Sequence, residues 1–93
     1  MNIRKALRKI EKRLGLKEKK YNGLDITVDL EVADCEGFTY SHGKTIYLVL
    51  GKLDMLVFAH ELVHVVQLRH KLPLCEQQAY GLEQKVLKWL KKS

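Results

Sequence analysis

The segment 55–69, MLVFAHELVHVVQLR, is apolar on almost every side of the helix that it would form. A helix whose hydrophobic residues do not keep to one stripe is buried rather than lying on the surface. Before Gln67, its polar side chains are those of His60, Glu61 and His64. Ionisable groups are costly to bury unless each has a partner. We therefore expect a core helix whose three polar side chains either have a function or are tightly paired.

The two histidines, His60 and His64, are four residues apart, so on a helix they point the same way, one turn above each other. Two neutral imidazoles in that arrangement can bind one zinc ion. Glu61 can then reach a water on the metal without being a ligand, and the metal lowers the pKa of that water toward about 7. The spacing His-Glu-x-x-His therefore predicts a metallopeptidase site with Zn²⁺ as cofactor. The alternative is a pair of core histidines with structural hydrogen bonds, and the apolar helical context favours the metal site.

A zinc site needs at least one further protein ligand. His70 has the spacing of a longer motif, in which a glycine after the second histidine lets the chain turn back to the metal. Gln67 stands at that glycine position, and a non-glycine residue with positive φ is uncommon. If the helix continues, His70 lies about 9 Å beyond His64, where it would interact with the helix dipole and free carbonyls. Glu76 and Glu83 are the other candidates, because a short connection should fold the last helix back; spacing does not exclude either.

Hydrophobic periodicity predicts an α+β fold in one domain spanning residues 1–93. The expected order is one helix, three strands and two helices, with the bounds 2–20, 24–32, 38–42, 45–50, 55–69 and 73–90. The strand over 24–32 alternates apolar and polar residues and should be half buried. We expect the strands to form a small meander with antiparallel outer strands. Gly15 weakens the first helix, Asp54 should cap the buried helix, and Pro73 suits the first position of the last one.

The formal net charge is +6, and basic residues are concentrated in residues 1–20 and near the C-terminus. A basic helix can bind nucleic acid, but a solvated helix face is the more frequent explanation, so nucleic acid is not the favoured partner. The apolar runs are too short to span a membrane, and the N-terminus lacks the features of a secretory signal. Cys35 and Cys75 are too few for a disulfide framework. We expect a cytoplasmic protein with free thiols, and one bridge between them stays open.

The residues HELVH, followed by a glutamate on the next helix, resemble the gluzincin clan of zinc peptidases. With its basic helix, small sheet, active-site helix and glutamate helix, the chain resembles the minigluzincins, the minimal form of that fold. The resemblance covers nearly the whole chain in element order. It implies His60, His64 and Glu76 as zinc ligands and Glu61 as general base. Larger gluzincins often place an aspartate four residues after the glutamate to orient a ligand histidine, and Tyr80 occupies that position here.

The predicted function is therefore zinc-dependent endopeptidase activity on a peptide or protein substrate. The alternatives are a structural zinc protein and a non-catalytic zinc-containing module whose basic helix faces bind nucleic acid or a protein partner. If the fold follows zincins, strand 45–50 could pair with extended substrate. We also expect segment 88–93, or another part of the chain, to cover the cleft and keep the enzyme latent. Candidate donors to the reaction intermediate are Tyr40, His42, Tyr47 and Tyr80.

Overall fold

The computed structural model describes residues 2–21, 23–31 and 36–91. It has an α+β fold with the predicted order of elements, which confirms the expected fold class. The elements are α1 (Ile3–Arg13), β1 (Leu24–Val28), β2 (Gly37–His42), β3 (Thr45–Leu50), α2 (Met55–Arg69) and α3 (Glu76–Lys91).

Helix α1 is shorter than the predicted helix over 2–20. The side chain of Asn2 caps it by accepting a hydrogen bond from the backbone N–H of Lys5. Its apolar stripe, which includes Leu7 and Ile10, is buried against α2 and α3. The helix ends because Gly15 adopts the left-handed conformation, with φ of 70°, as glycine commonly does just beyond a helix C-terminus.

The sheet is not the predicted meander. Strand β3 lies in the centre of the order β1-β3-β2; it pairs in parallel with β1 and antiparallel with β2. Strand β3 takes the central position because Ile46, Leu48 and Leu50 are all buried on its helix side. A tight turn through Gly43, with φ of 63°, joins β2 to β3.

Strand β1 differs from its prediction in length and in burial. It ends at Val28, and the side chains of Ile26 and Val28 are 38% and 45% exposed, so the strand is not half buried as expected. It is an edge strand, and no helix of the described ranges covers this part of the sheet. Residues 32–35, which include the end of the predicted strand and Cys35, lie outside the described residues.

Helix α2 has the predicted bounds and is the centre of the core. Asp54 caps it as expected, accepting hydrogen bonds from the backbone N–H groups of Leu56 and Val57. The bond from Leu56 is the main cause that holds the pKa of Asp54 below its usual value. The apolar side chains of α2 are buried on all sides because the sheet covers one face while α1 and α3 cover others.

Helix α3 begins at Glu76 rather than at Pro73. Helix α2 ends at Arg69, and Lys71 just beyond it has φ of 56°. The backbone of Cys75 then bonds to the side chain of Gln67. The carbonyl of Cys75 accepts from the N–H of Ala79, so α3 starts directly after Cys75. Cys75 is exposed and its thiol is free. None of the helices in the described ranges combines the length and the hydropathy that a membrane span requires.

Candidate metal centre

The predicted pair of histidines shares one face of α2. His60 and His64 are both buried, and their ring centroids lie 5.0 Å apart. Glu61, between them in sequence, is also buried. One nitrogen of each ring and one carboxylate oxygen of Glu61 lie within 4.8 Å of one another, so this group could hold a metal ion.

Glu76, the first residue of α3, places its carboxylate against both rings. Its Oε2 lies 3.0 Å from Nε2 of His60, and its Oε1 lies 2.7 Å from Nε2 of His64. The side chain of Glu76 is 64% exposed, so it closes the site on the solvent side. Burial raises the pKa of Glu76, but the charges that the two imidazoles carry when protonated, and their contacts with its carboxylate, outweigh burial and hold this pKa below its usual value.

Glu83 orients the ring of His60. Its Oε2 lies 2.8 Å from Nδ1 of His60, and because an ionised carboxylate only accepts, the hydrogen-bond network assigns a proton to Nδ1. In the neutral ring the lone pair of His60 is then on Nε2, which faces Glu76; without a metal ion, a proton on Nε2 would serve the 3.0 Å contact with Oε2 of Glu76. Glu83 thus performs here the task that the gluzincin resemblance assigned to the position of Tyr80. Glu83 lies two helical turns after Glu76 in the sequence. This spacing indicated that Glu83 would be near the centre, but it did not indicate that Glu83 orients His60.

Gln67 orients the ring of His64, as Glu83 orients the ring of His60. Its Oε1 lies 2.7 Å from Nδ1 of His64 and also accepts from the N–H of Cys75, while its Nε2 donates to the carbonyl of Cys75. Since a backbone N–H can only donate, these bonds settle which end of the amide is oxygen. Nδ1 of His64 therefore carries a proton, and Nε2 has the lone pair. In the sequence, Gln67 stood out only because it replaces the glycine that would let the chain turn back toward the metal.

With these tautomers, the lone pairs on Nε2 of His60 and His64 face the two carboxylate oxygens of Glu76. Nε2 of His64 is buried and has no hydrogen-bond partner among the described residues, since its 2.7 Å contact with Glu76 lacks hydrogen-bond geometry. Acceptors held together in this way need a cation between them, either protons or a metal ion. The contacts are a few tenths of an ångström shorter than the spacing of about 3.3 Å between ligand atoms around tetrahedral zinc. The donor set therefore fits a zinc ion after a small outward movement.

Glu61 is held by the neighbouring strand. Its Oε1 accepts a hydrogen bond of 2.7 Å from Oγ1 of Thr39, a buried residue on β2. Strand β2 can lie this close because Gly37 has no side chain: a Cβ there would be 3.0 Å from the carbonyl oxygen of Val49 and 3.5 Å from Cγ of Glu61. Sequence reasoning missed Thr39, because nothing in an exposed-looking strand distinguishes a threonine that faces the helix.

The site opens into a cleft of about 560 Å³. Tyr80 borders this cleft, and its ring centroid lies 4.6 Å from that of His60.

The other predicted donors lie on the opposite face of the sheet. Tyr40 pairs with Tyr47 in the register, and these side chains alternate with the residues that face α2. The rings of Tyr40 and Tyr47 stack with centroids 5.0 Å apart. His42 is on that outer face as well, so Tyr80 alone of the four borders the candidate centre.

The structure also places His70, strand β3 and the end of α3, and it corrects the expectation that β3 pairs with substrate. His70 is not beside the centre: α2 continues past Gln67, and Nε2 of His70 lies 2.5 Å from Oε2 of Glu11 instead. Strand β3 is paired on both sides, so it cannot pair with substrate, and β2 is the edge strand next to Glu61. Residues 88–91 end α3 beside α1, where Lys9 lies 5.8 Å from the ring of Trp89, and they do not line the cleft. Residues 92 and 93 lie outside the described part of the chain.

Comparison of the chain with protein-family models, with curated proteins and with solved structures finds no match. The assignment of a function therefore rests on the residues of the candidate centre and on their geometry.

Proposed function

We propose that the chain is a zinc-dependent peptidase of the gluzincin type, with His60, His64 and Glu76 as ligands and Glu61 as general base. One observation carries the proposal. Nε2 of His64 is buried without a hydrogen-bond partner among the described residues, and the proton positions set by Glu83 and Gln67 direct both histidine lone pairs at one carboxylate. Without a cation between them, these lone pairs and the carboxylate oxygens are acceptors that face one another with no donor.

The chemistry needs a nucleophile and a proton carrier beside the metal position. A zinc ion bound there would polarise the carbonyl of a peptide bond and make a nearby water more acidic. Glu61 accepts a proton from the attacking water, the new C–O bond forms, and Glu61 gives this proton to the amine nitrogen as the C–N bond breaks. The hydrogen bond from Thr39 holds Oε1 of Glu61, which leaves Oε2 as the oxygen that carries the proton.

Strand β2 provides a place for an extended substrate in this proposal. The carbonyl of Glu36 accepts from the N–H of Gly51, so the even-numbered residues of β2 bond to β3, and the backbone of Thr39 and Ser41 points away from it. A peptide paired along that edge would pass beside Glu61. We infer peptides or unfolded protein segments as the substrate class, and a cytoplasmic location stays a prediction.

The direct test measures zinc content and peptide hydrolysis for the purified chain and for Glu61→Gln. We expect about one zinc per chain in both proteins, and a kcat/KM for a quenched fluorescent peptide that falls about 10²- to 10⁴-fold in Glu61→Gln. Glu18→Gln, an exposed carboxylate paired with Arg8, is the matched control and should keep full activity.

Two results would contradict the proposal. A chain that takes up no zinc, even when zinc is added, has no metal centre of this kind. A chain that retains zinc but has equal rates with and without the Glu61 carboxylate uses the metal for structure. The module with basic helix faces would gain support only from nucleic-acid binding that weakens steeply with added salt.

A further inference from the structure

The outer edge of β1 is a second surface with a defined chemistry, at the opposite edge of the sheet from β2, the strand that holds Glu61. Strand β1 bonds to β3 through its odd-numbered residues: the N–H of Asp29 donates to Leu50, and the carbonyl of Gly23 accepts from Ile46. In a parallel pair, the alternate residues direct their backbone groups the other way. The N–H and carbonyl groups of Ile26 and Val28 therefore point outward, and in the described ranges no strand lies along them.

An apolar groove adjoins this edge. The side chains of Ile26 and Val28 are in register with Leu48 and Leu50 on the helix side of the sheet, yet they remain exposed. Together with its neighbours, Ile26 lines a groove of about 320 Å³ whose walls are almost entirely apolar. The groove is lined by Ile3, Ile26, Leu50, Leu53, Asp54, Met55 and Phe58. Leu53 is 76% exposed on its rim, which is a large exposure for a leucine beside other apolar side chains.

The opposite face of β1 is acidic. Asp25 and Asp29 alternate with the apolar residues, Glu31 follows, and all three are exposed, in a chain whose net charge is +6. A second copy that paired through the same edge would bring these carboxylates near one another, which is unfavourable. A strand with basic residues at the matching positions would have opposite charges there instead.

We propose that the β1 edge binds an extended peptide segment of alternating apolar and basic residues, which adds to the sheet as a fourth strand. Backbone groups of Ile26 and Val28 pair with the segment, its apolar side chains enter the groove, and its basic side chains lie beside Asp25 and Asp29. Alternation along a strand places the two sets on the two faces of the sheet, as this surface requires. The inference does not depend on the proposed peptidase activity.

The test uses a fluorescein-labelled synthetic peptide of alternating lysine and valine, about seven residues long, and a second peptide with glutamate in place of lysine. Binding is measured by fluorescence anisotropy, with Glu61→Gln as the parent protein so that the peptides stay intact. We expect binding of the lysine peptide alone, and binding that weakens several-fold in high salt.

Two matched proline variants locate the binding edge. Ile26→Pro removes an outward N–H without breaking the bonds to β3, a position where an edge strand tolerates proline; we expect it to weaken binding about tenfold or more. Ser41→Pro makes the equivalent change on the β2 edge and should leave binding unchanged. The double variant Asp25→Lys and Asp29→Lys alters exposed side chains alone and should reverse the preference to the glutamate peptide.

Each other outcome overturns the proposal. Equal binding of the two peptides would remove the charge argument, and binding of neither would remove the site. Loss in Ser41→Pro with retention in Ile26→Pro would place the peptide on β2. Self-association that Ile26→Pro abolishes, measured by sedimentation, would make a second copy the occupant. If Ile26→Pro does not fold, as judged by circular dichroism, the charge-reversed variant decides, since an unchanged preference contradicts the proposal.

Discussion

Two contacts between histidine and glutamate involve residues of α2 and its C-terminal cap, and they differ in what surrounds the carboxylate. His64 meets Glu76 near the middle of the helix, and His70 meets Glu11 at its end. Oε2 of Glu11 accepts from three donors: the ring of His70, the hydroxyl of Tyr21 at 2.8 Å and the N–H of Lys19 at 3.1 Å. Burial, followed by the hydrogen bond to Glu11 and its charge, raises the pKa of Tyr21, so its hydroxyl stays protonated and donates.

Glu76 has no comparable set of donors in the described part of the chain. Its two oxygens face histidine nitrogens whose rings carry their protons on the other side, and its side chain is 64% exposed against 2% for Glu11. The comparison shows that burial beside a carboxylate does not identify a metal ligand. The distinguishing features are the position of the ring proton and access to solvent. At Glu11, three donors converge on Oε2, while Oε1 is buried without a hydrogen-bond partner among the described residues; at Glu76, the facing groups are acceptors open to a cation.

The largest expected effect separates the two regions by stability. Glu11→Ala leaves His70, Tyr21 and a backbone N–H without their partner in the core. We expect the free energy of unfolding, from urea titration, to fall by about 3–5 kcal/mol. The matched control is Glu18→Ala, which breaks an exposed ion pair with Arg8 and should cost less than about 1 kcal/mol. Zinc affinity of the folded Glu11→Ala protein should be unchanged; a parallel loss of zinc would mean that the two regions are coupled.

The reverse experiment is Glu76→Ala. Because Glu76 lies at the exposed start of α3, its removal should change the stability of the metal-free protein by less than about 1 kcal/mol. Zinc affinity, measured by competition with a chelator, should fall more than about 100-fold, beyond the range of a residue that only supports ligands. Gln77→Ala, the exposed neighbour, controls for effects on the helix start. Unchanged affinity would show that the group of His60, Glu61 and His64 binds the metal by itself.

A smaller effect tests whether proton placement distinguishes the two regions. Glu83→Ala removes the acceptor that holds the proton of His60 on Nδ1 but takes no proposed ligand away. Zinc affinity should fall about 10- to 100-fold, while Gln84→Ala on the exposed side of α3 should have no effect. A loss as large as that of Glu76→Ala would mean that Glu83 is itself a ligand, the alternative that residue spacing does not exclude.

Local pattern was enough to predict several elements. The bounds of α2 and β3 agree with the prediction. Helix α2 has a continuous apolar surface behind an aspartate cap, and β3 is a short apolar run between turn residues. The prediction of α1 was too long, since apolar spacing continues past Gly15 and only the backbone conformation shows where the helix stops. Pro73 suggested a helix start because proline suits that position, but the bonds from Gln67 to Cys75 move the start to Glu76.

The order of the strands could not be predicted in the same way. A period of two is the same for an edge strand and a central one, and for parallel and antiparallel neighbours. The prediction of a meander was therefore wrong, and so was the predicted burial of β1, because no helix in the described part of the chain packs over its apolar residues Ile26 and Val28. These errors bear on the proposed function, because β2 rather than β3 is the edge strand beside Glu61.

The sequence by itself determined the buried helix, the two histidines on one of its faces and the glutamate between them, because helical periodicity makes residues four apart neighbours wherever the helix lies. Tertiary structure alone decided which carboxylates reach those rings. Folding of α3 against α2 places Glu76 and Glu83 on opposite nitrogens of His60, and the bonds between Gln67 and Cys75 orient His64. Such contacts depend on the angle and register of two packed helices. Local sequence pattern does not predict them, because the residues that make them are distant in the chain.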